Sequence, residues 1–159
     1  TERKSPAPSR REIELSMVLR NALEPLVMTS LFPRTVIDIF IEVLQADGGT
    51  RCAGLTAAVL ALADAGIPLR GLAAACAVGK ADGKVIVDLN DLEDKYGEAD
   101  MPIAYNPTLD GITLLQMDGI MSKEEVEQAL SLAITATQKM HKMQVDALRE
   151  RFSVQRREN

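Results

Sequence analysis

The stretch "RTVIDIFIEVLQADGGTRCAGLTAAVLALADAG", Arg34 to Gly66, decides the fold. Ile37, Ile39, Ile41 and Val43 alternate with Val36, Asp38, Phe40, Glu42 and Leu44. A period of two, with acids confined to one set, predicts a strand over Arg34–Asp47 with one well-buried face. Gly48 and Gly49 turn the chain, and Thr50 to Ala65 predicts an alanine-rich helix stopped by Gly66 and Pro68. A strand feeding a helix through a tight turn belongs to a layered fold of sheet and helices. One residue is out of place. A helix N-terminus carries partial positive charge, so Arg51 in the first turn opposes the dipole. An anionic partner would give it a purpose.

Working outward, Ser9 and Glu12 form a capping-box pattern. Leu15, Val18, Leu19, Ala22, Leu23 and Leu26 keep helical spacing, predicting a helix from about Arg10 to Val27, with Pro25 near its end. Beyond the central unit, Ala81 to Lys84 reads as a hairpin turn between two short strands. An acidic segment runs from Asp88 to Asp100, and "MPIAYNP" and "GITLLQMDG" read as two more strands. Ser122 and Glu125 make a second capping box, opening a long helix to about Arg151. Residues 1–8, with Pro6 and Pro8, predict an extended lead-in, and 153–159 a solvated tail. The whole predicts one α/β (α+β) domain over 9–152, a mixed β-sheet packed by helices.

Composition narrows the function. The net charge of −5 gives the chain no overall attraction for nucleic acid, so an anionic ligand needs a local basic cluster. Aromatic residues are 3% with no Trp, which argues against a stacking platform for bases. Cys52 and Cys76 with the lone His141 offer no zinc spacing and predict buried thiols of a cytosolic protein. No leader peptide or membrane-spanning run is visible, so a cytoplasmic protein is expected.

Three groups of residues could carry chemistry. Gly48 and Gly49 let backbone N–H groups approach a ligand, Thr50 adds a hydroxyl, and Arg51 adds a fork suited to phosphate. Arg10 and Arg11 are a second case of arginine at a helix start, and the two starts would form one anion site if they met in space. Solvated charge, or an ion pair of this second group with Glu14, is the plain alternative. Asp88 and Asp94, six positions apart in "DLNDLED", could hold magnesium or move a proton, against the alternative of an exposed acidic loop. His141 reads as a surface residue, the methionines as packing, and Tyr96 and Tyr105 as packing rather than base contacts.

Taken together, "SPAPSRREIELSMVLRNALEP", "IEVLQADGGTRCAGLTAAVLALADAGIPL" and "AVGKADGKVIVDLNDLEDKYGEADMPIA" resemble the RNase PH family, in particular its catalytic members in the archaeal exosome. The likeness covers about Ser5 to Phe152, corresponding to the C-terminal two-thirds of the usual chain. It implies an RNase PH-like fold and phosphorolysis, in which inorganic phosphate releases nucleoside diphosphates from RNA 3′ ends. It implies that Arg11 and Arg51 bind the phosphate with Gly48, Gly49 and Thr50, that Arg10 contacts RNA, and that Asp88 and Asp94 are catalytic, with Mg²⁺ as the implied metal. The implied partners are RNA, a paralogous inactive RNase PH-like subunit alternating in a hexameric ring, and RNA-binding cap proteins. Family members of this type carry a substantial N-terminal section before the region matched here. A non-catalytic scaffold of the same ring, or an unrelated phosphate-binding domain, are the competing expectations. The presence of Arg11, Arg51, Asp88 and Asp94 together favours the enzyme.

Overall fold

The computed structural model describes residues 7–158, with side chains through Ser153. Most of the lead-in, residues 1–6, lies outside the described residues, as does Asn159. The elements are α1 (Arg10–Leu23), α2 (Thr50–Asp64), β1 (Ala74–Ala81), β2 (Lys84–Val87), α3 (Asp91–Tyr96), β3 (Ala99–Asn106), β4 (Gly111–Leu115), β5 (Asp118–Gly119) and α4 (Lys123–Glu158).

The strands form one sheet in the order β2-β1-β3-β4, with β5 also pairing β3. The mixed sheet expected from sequence is antiparallel in every pairing described. Asp82 (φ 51°) and Gly83 (φ 69°) make the β1–β2 turn, both left-handed, as a two-residue hairpin with the strands' natural twist requires. Alternate residues of β1 serve two cores. Ala75 and Ala77, with Ala73 just before the strand, face α1 and α2, packing with Leu26, Leu55 and Val59. Cys76 and Val78 face α4, packing with Met101, Ile103, Ala129 and Ala133. The small residues of β1 and α2 let helix and sheet approach closely, and Leu26, Leu55 and Val59 are fully excluded from water.

Two expected boundaries move. Helix α1 stops at Leu23 rather than Val27, because Pro25 lacks an N–H and its ring crowds the carbonyl four residues back. Val27 instead bridges antiparallel to Leu69. At the other end α4 stays helical through Glu158, past the expected stop near Arg151 and through the backbone of the expected tail.

The largest correction is the strand expected over Arg34–Asp47. The segment carries no strand hydrogen bonding and takes part in none of the pairings described. Ile37 still packs on the first core and Ile41 lies over Gly54 on α2. Phe40 and Leu44, however, are 90% and 94% exposed. The alternating pattern encodes a strand, but a strand exists only when a neighbouring chain accepts its N–H and C=O groups. Hydrogen exchange on this chain is therefore expected to be fast at residues 36–46 and slow in β1 and β3. Slow exchange across 36–46 would show that the segment finds a partner the fold does not display.

Candidate functional site

The turn after residue 47 brings two distant motifs together. Gly48 has φ +76°, and a Cβ there would lie 2.4 Å from the carbonyl oxygen of Leu89 and 2.8 Å from the carbonyl carbon of Asn90. Only glycine permits that backbone-to-backbone approach. Beside it, the Asp47 carboxylate accepts the Asp91 backbone N–H at 3.1 Å. The turn "DGGTR" is thus fixed against "DLNDLED". Asp47 was not singled out by sequence reasoning, and its role needs a partner 44 residues away.

Gly49 is the N-cap of α2 at φ 57°, with open space where its Cβ would be. Among the helix starts α2 stands apart. Ser9 and Asn90 cap α1 and α3 with full capping boxes, whereas α2 has no side-chain cap and no acid in its first turn. Its first N–H groups are left for something else to satisfy.

Arg51 donates through Nη2 to both oxygens of Glu14, at 3.2 and 3.3 Å. Glu14 was an expected partner for Arg10 or Arg11, but it reaches across to α2 instead. The pair is partly exposed, at 26% and 41%, so solvent screening leaves it worth little on its own. Its consequence is geometric. Arg10 and Arg11, exposed at the start of α1, lie one turn from the carboxylate that touches Arg51. The two arginine-bearing helix starts are neighbours.

Asp88 follows β2 in a left-handed conformation, φ 66°, which aspartate tolerates better than most residues. Its N–H donates to the Ala77 carbonyl at 2.7 Å, and its side chain is exposed. Asp94 lies on α3, also exposed. The acidic stretch is therefore a short helix between Asp88 and β3, not a loop. The signal was in the sequence, since Asn90 and Glu93 form a capping box.

A further carboxylate was missed. Asp100 on β3 has a buried Oδ1 with no hydrogen-bond partner. Burial pushes its carboxyl above the usual range, Asp94 adds to the rise, Arg51 pulls it back, and Asp118 adds again. In the sequence Asp100 stands only as the end of the acidic segment from Asp88, with no signal that its carboxylate is buried. Among the described residues no cluster of three His, Cys, Asp or Glu side chains forms a metal cage. The donor set is still of the right kind for Mg²⁺, which needs only one or two carboxylates plus substrate phosphate oxygens.

Both cysteines are buried and free, as expected. Burial pushes the Cys52 thiol up to about 12 and Cys76 up to about 11. The thiolate is the reactive form, so neither should react with a disulfide reagent at pH 7.5 until the chain unfolds. Rapid labelling of the folded protein would contradict this. Tyr105 is buried and donates to Asp110 at 2.6 Å, whereas Tyr96 is 83% exposed and packs far less than expected. No described helix is long and apolar enough to cross a membrane.

Comparison with known proteins fits this geometry. The 3′ exoribonuclease family models match in succession, domain 1 over residues 1–68 and domain 2 over 71–136. The chain is 58% identical to exosome complex component Rrp41 of Thermococcus gammatolerans, over 95% of this chain and 61% of that protein. It is 56% identical to Rrp41 of Nitrosopumilus maritimus, over 95% of this chain and 62% of that one. The chain thus spans about three-fifths of the length of these relatives. The crystal structure of rice Rrp46 superposes with a TM-score of 0.84 at 24% identity, covering 91% of this chain and 69% of that one, a likeness of fold. With both family models matched over most of its length, the chain belongs to the RNase PH family of 3′ exoribonucleases.

Proposed function

We propose that this chain is part of a phosphorolytic 3′→5′ exoribonuclease subunit of an exosome-type ring. The observation that carries the reading is the junction of two motifs: Gly48 packed on Leu89–Asn90, and Asp47 bonded to Asp91. That junction sets the arginine-bearing start of α2 beside the segment holding Asp88 and Asp94.

In this reading Gly48, Gly49 and Thr50 cradle inorganic phosphate, with backbone N–H groups at the start of α2 pointing at it. Arg51 and Arg11 neutralise its charge, and Arg10 meets the RNA backbone. A phosphate oxygen attacks the phosphorus of the terminal phosphodiester. The bond to the 3′ oxygen of the preceding nucleotide breaks, that oxygen takes a proton, and a nucleoside diphosphate leaves. Two anions must be brought into contact, so positioning and charge stabilisation account for most of the catalysis. Asp88 and Asp94 would orient Mg²⁺ or supply the proton to the leaving oxygen. Mg²⁺, when bound, supplies positive charge to the reacting phosphates. RNA, a paralogous inactive subunit in a hexameric ring and RNA-binding cap proteins are the proposed partners. A ring also supplies basic surface that a chain of net charge −5 lacks.

The test is product identity. Labelled RNA, magnesium and the full-length protein with its ring partner are incubated with and without inorganic phosphate. Nucleoside diphosphates that form only with phosphate support the reading. Monophosphates mean hydrolysis and overturn it, and intact RNA points to a scaffold. Within an active ring, Arg51→Ala is expected to raise the phosphate KM by roughly 10–100-fold, the scale of charge-assisted hydrogen bonds to an anion. An unchanged phosphate dependence would remove Arg51 from the site.

A further inference from the structure

We propose that Asp100 is a positioning residue that holds the Arg51 guanidinium by its Nε edge, leaving the outer nitrogens to the attacking phosphate. The inference rests on the phosphorolytic reading and assigns a residue which that reading does not use.

Arg51 Nε and Asp100 Oδ1 are both buried, and neither has a hydrogen-bond partner. Unmet buried donors and acceptors are rare in folded proteins and each costs stability. Here a donor and an acceptor of opposite charge are orphaned in one neighbourhood. Asp100 lies in the field of Arg51, and the Cys52 thiol that follows Arg51 in sequence lies in the field of both. Asp100 is fixed on β3, paired with Gly79 on one side and Asp118 on the other, so its backbone is held by the sheet.

Among the described residues Arg51 has one hydrogen-bonding side-chain partner, Glu14, and it occupies Nη2. A phosphate dianion approaching the start of α2 competes for that same edge of the fork. Glu14 is partly exposed and screened, so it is the weaker competitor. Once Glu14 is displaced, the long Arg51 side chain needs a tether that phosphate does not contest. Arg51 Nε is buried, and the Asp100 carboxylate, with its buried Oδ1, lies within electrostatic reach of it but not in contact with it while Glu14 holds Nη2. Guanidinium geometry allows both at once, because its N–H groups form a planar fork with separate edges.

The experiment uses the full-length protein assembled with its ring partner, and reads the phosphate KM and kcat separately. Asp100→Ala is expected to raise the phosphate KM about tenfold, the scale of one charge-assisted hydrogen bond, with kcat at saturating phosphate within about twofold. Asp100→Asn keeps an acceptor without the charge and should recover most of the loss, to about threefold. In an Arg51→Ala background Asp100→Ala should add nothing further, because it acts through Arg51. Fully additive losses would overturn the proposal. So would a fallen kcat with an unchanged phosphate KM, which would place Asp100 in the chemical step beside Asp94. Should the alanine variant fail to assemble, a phosphate KM for Asp100→Asn equal to wild type is enough to reject it. A wild-type ring indifferent to phosphate sinks the phosphorolytic reading itself, whereas a phosphate-dependent ring insensitive to Asp100 sinks this inference alone.

Discussion

Asp94→Asn is expected to lower phosphorolytic turnover by about 10²–10⁴-fold while ring assembly and melting temperature stay at wild-type values. The magnitude is that of removing a group that moves a proton or organises charge at the reacting phosphate. Asn matches Asp in shape but cannot serve as an acid–base group or as an anionic ligand. Stability should hold because the side chain is exposed on α3, and the helix is fixed by main-chain and capping bonds. The Asp94 N–H donates to the Asn90 carbonyl at 2.9 Å, and the Asn90 side chain caps the helix, both independent of the Asp94 carboxylate. Single-turnover assays on an assembled ring decide the matter. A wild-type rate would strip Asp94 of its role, and a collapsed melting temperature would recast it as structural.

Gly48→Ala is expected to destabilise the fold by roughly 2–5 kcal/mol, combining a left-handed conformation for a residue with Cβ and steric overpacking. The added methyl would sit 2.4 Å from the Leu89 carbonyl oxygen, and neither backbone can yield without separating the glycine turn from the aspartate motif. Phosphate use should therefore suffer together with stability. Gly49→Ala is the internal control. Its Cβ enters open space, so only the left-handed conformation is penalised, about 1–2 kcal/mol. Denaturant midpoints of the two variants give the comparison. Equal losses would mean that the approach of Gly48 to Leu89 is not what holds the two motifs together.

Local signals in the sequence carry a long way. Ser9 with Glu12 and Ser122 with Glu125 mark helix starts because a cap is a bond between residues three apart. Asp82–Gly83 marks a hairpin because the turn demands left-handed backbone at both positions. Asn90 with Glu93 marks α3 equally well, although its acidic surroundings made the stretch read as a loop. Arg51 stood out because it opposes a dipole that every helix possesses, and that physical anomaly pointed to an anion. The resemblance carried by "SRRE", "GGTR" and "DLNDLED" then supplied the chemistry.

What local pattern cannot carry is the identity of partners far along the chain. The residues from Arg34 to Asp47 have the alternation of a strand, yet among the described residues no neighbouring strand pairs with them and they form none. Glu14 could have paired with Arg10 or Arg11 on its own helix, but packing of α1 on α2 gives it Arg51. Asp47 and Asp91 meet only because the turn before α2 is pressed onto the segment before α3. Asp100 shows the same division. The sequence by itself determined the helix starts, the hairpin, the anomalous arginine and the family, because these rest on contacts within a few residues. Only the tertiary structure decided which charges face one another and which polar atoms go unsatisfied, because burial and long-range pairing exist only once the layers are packed.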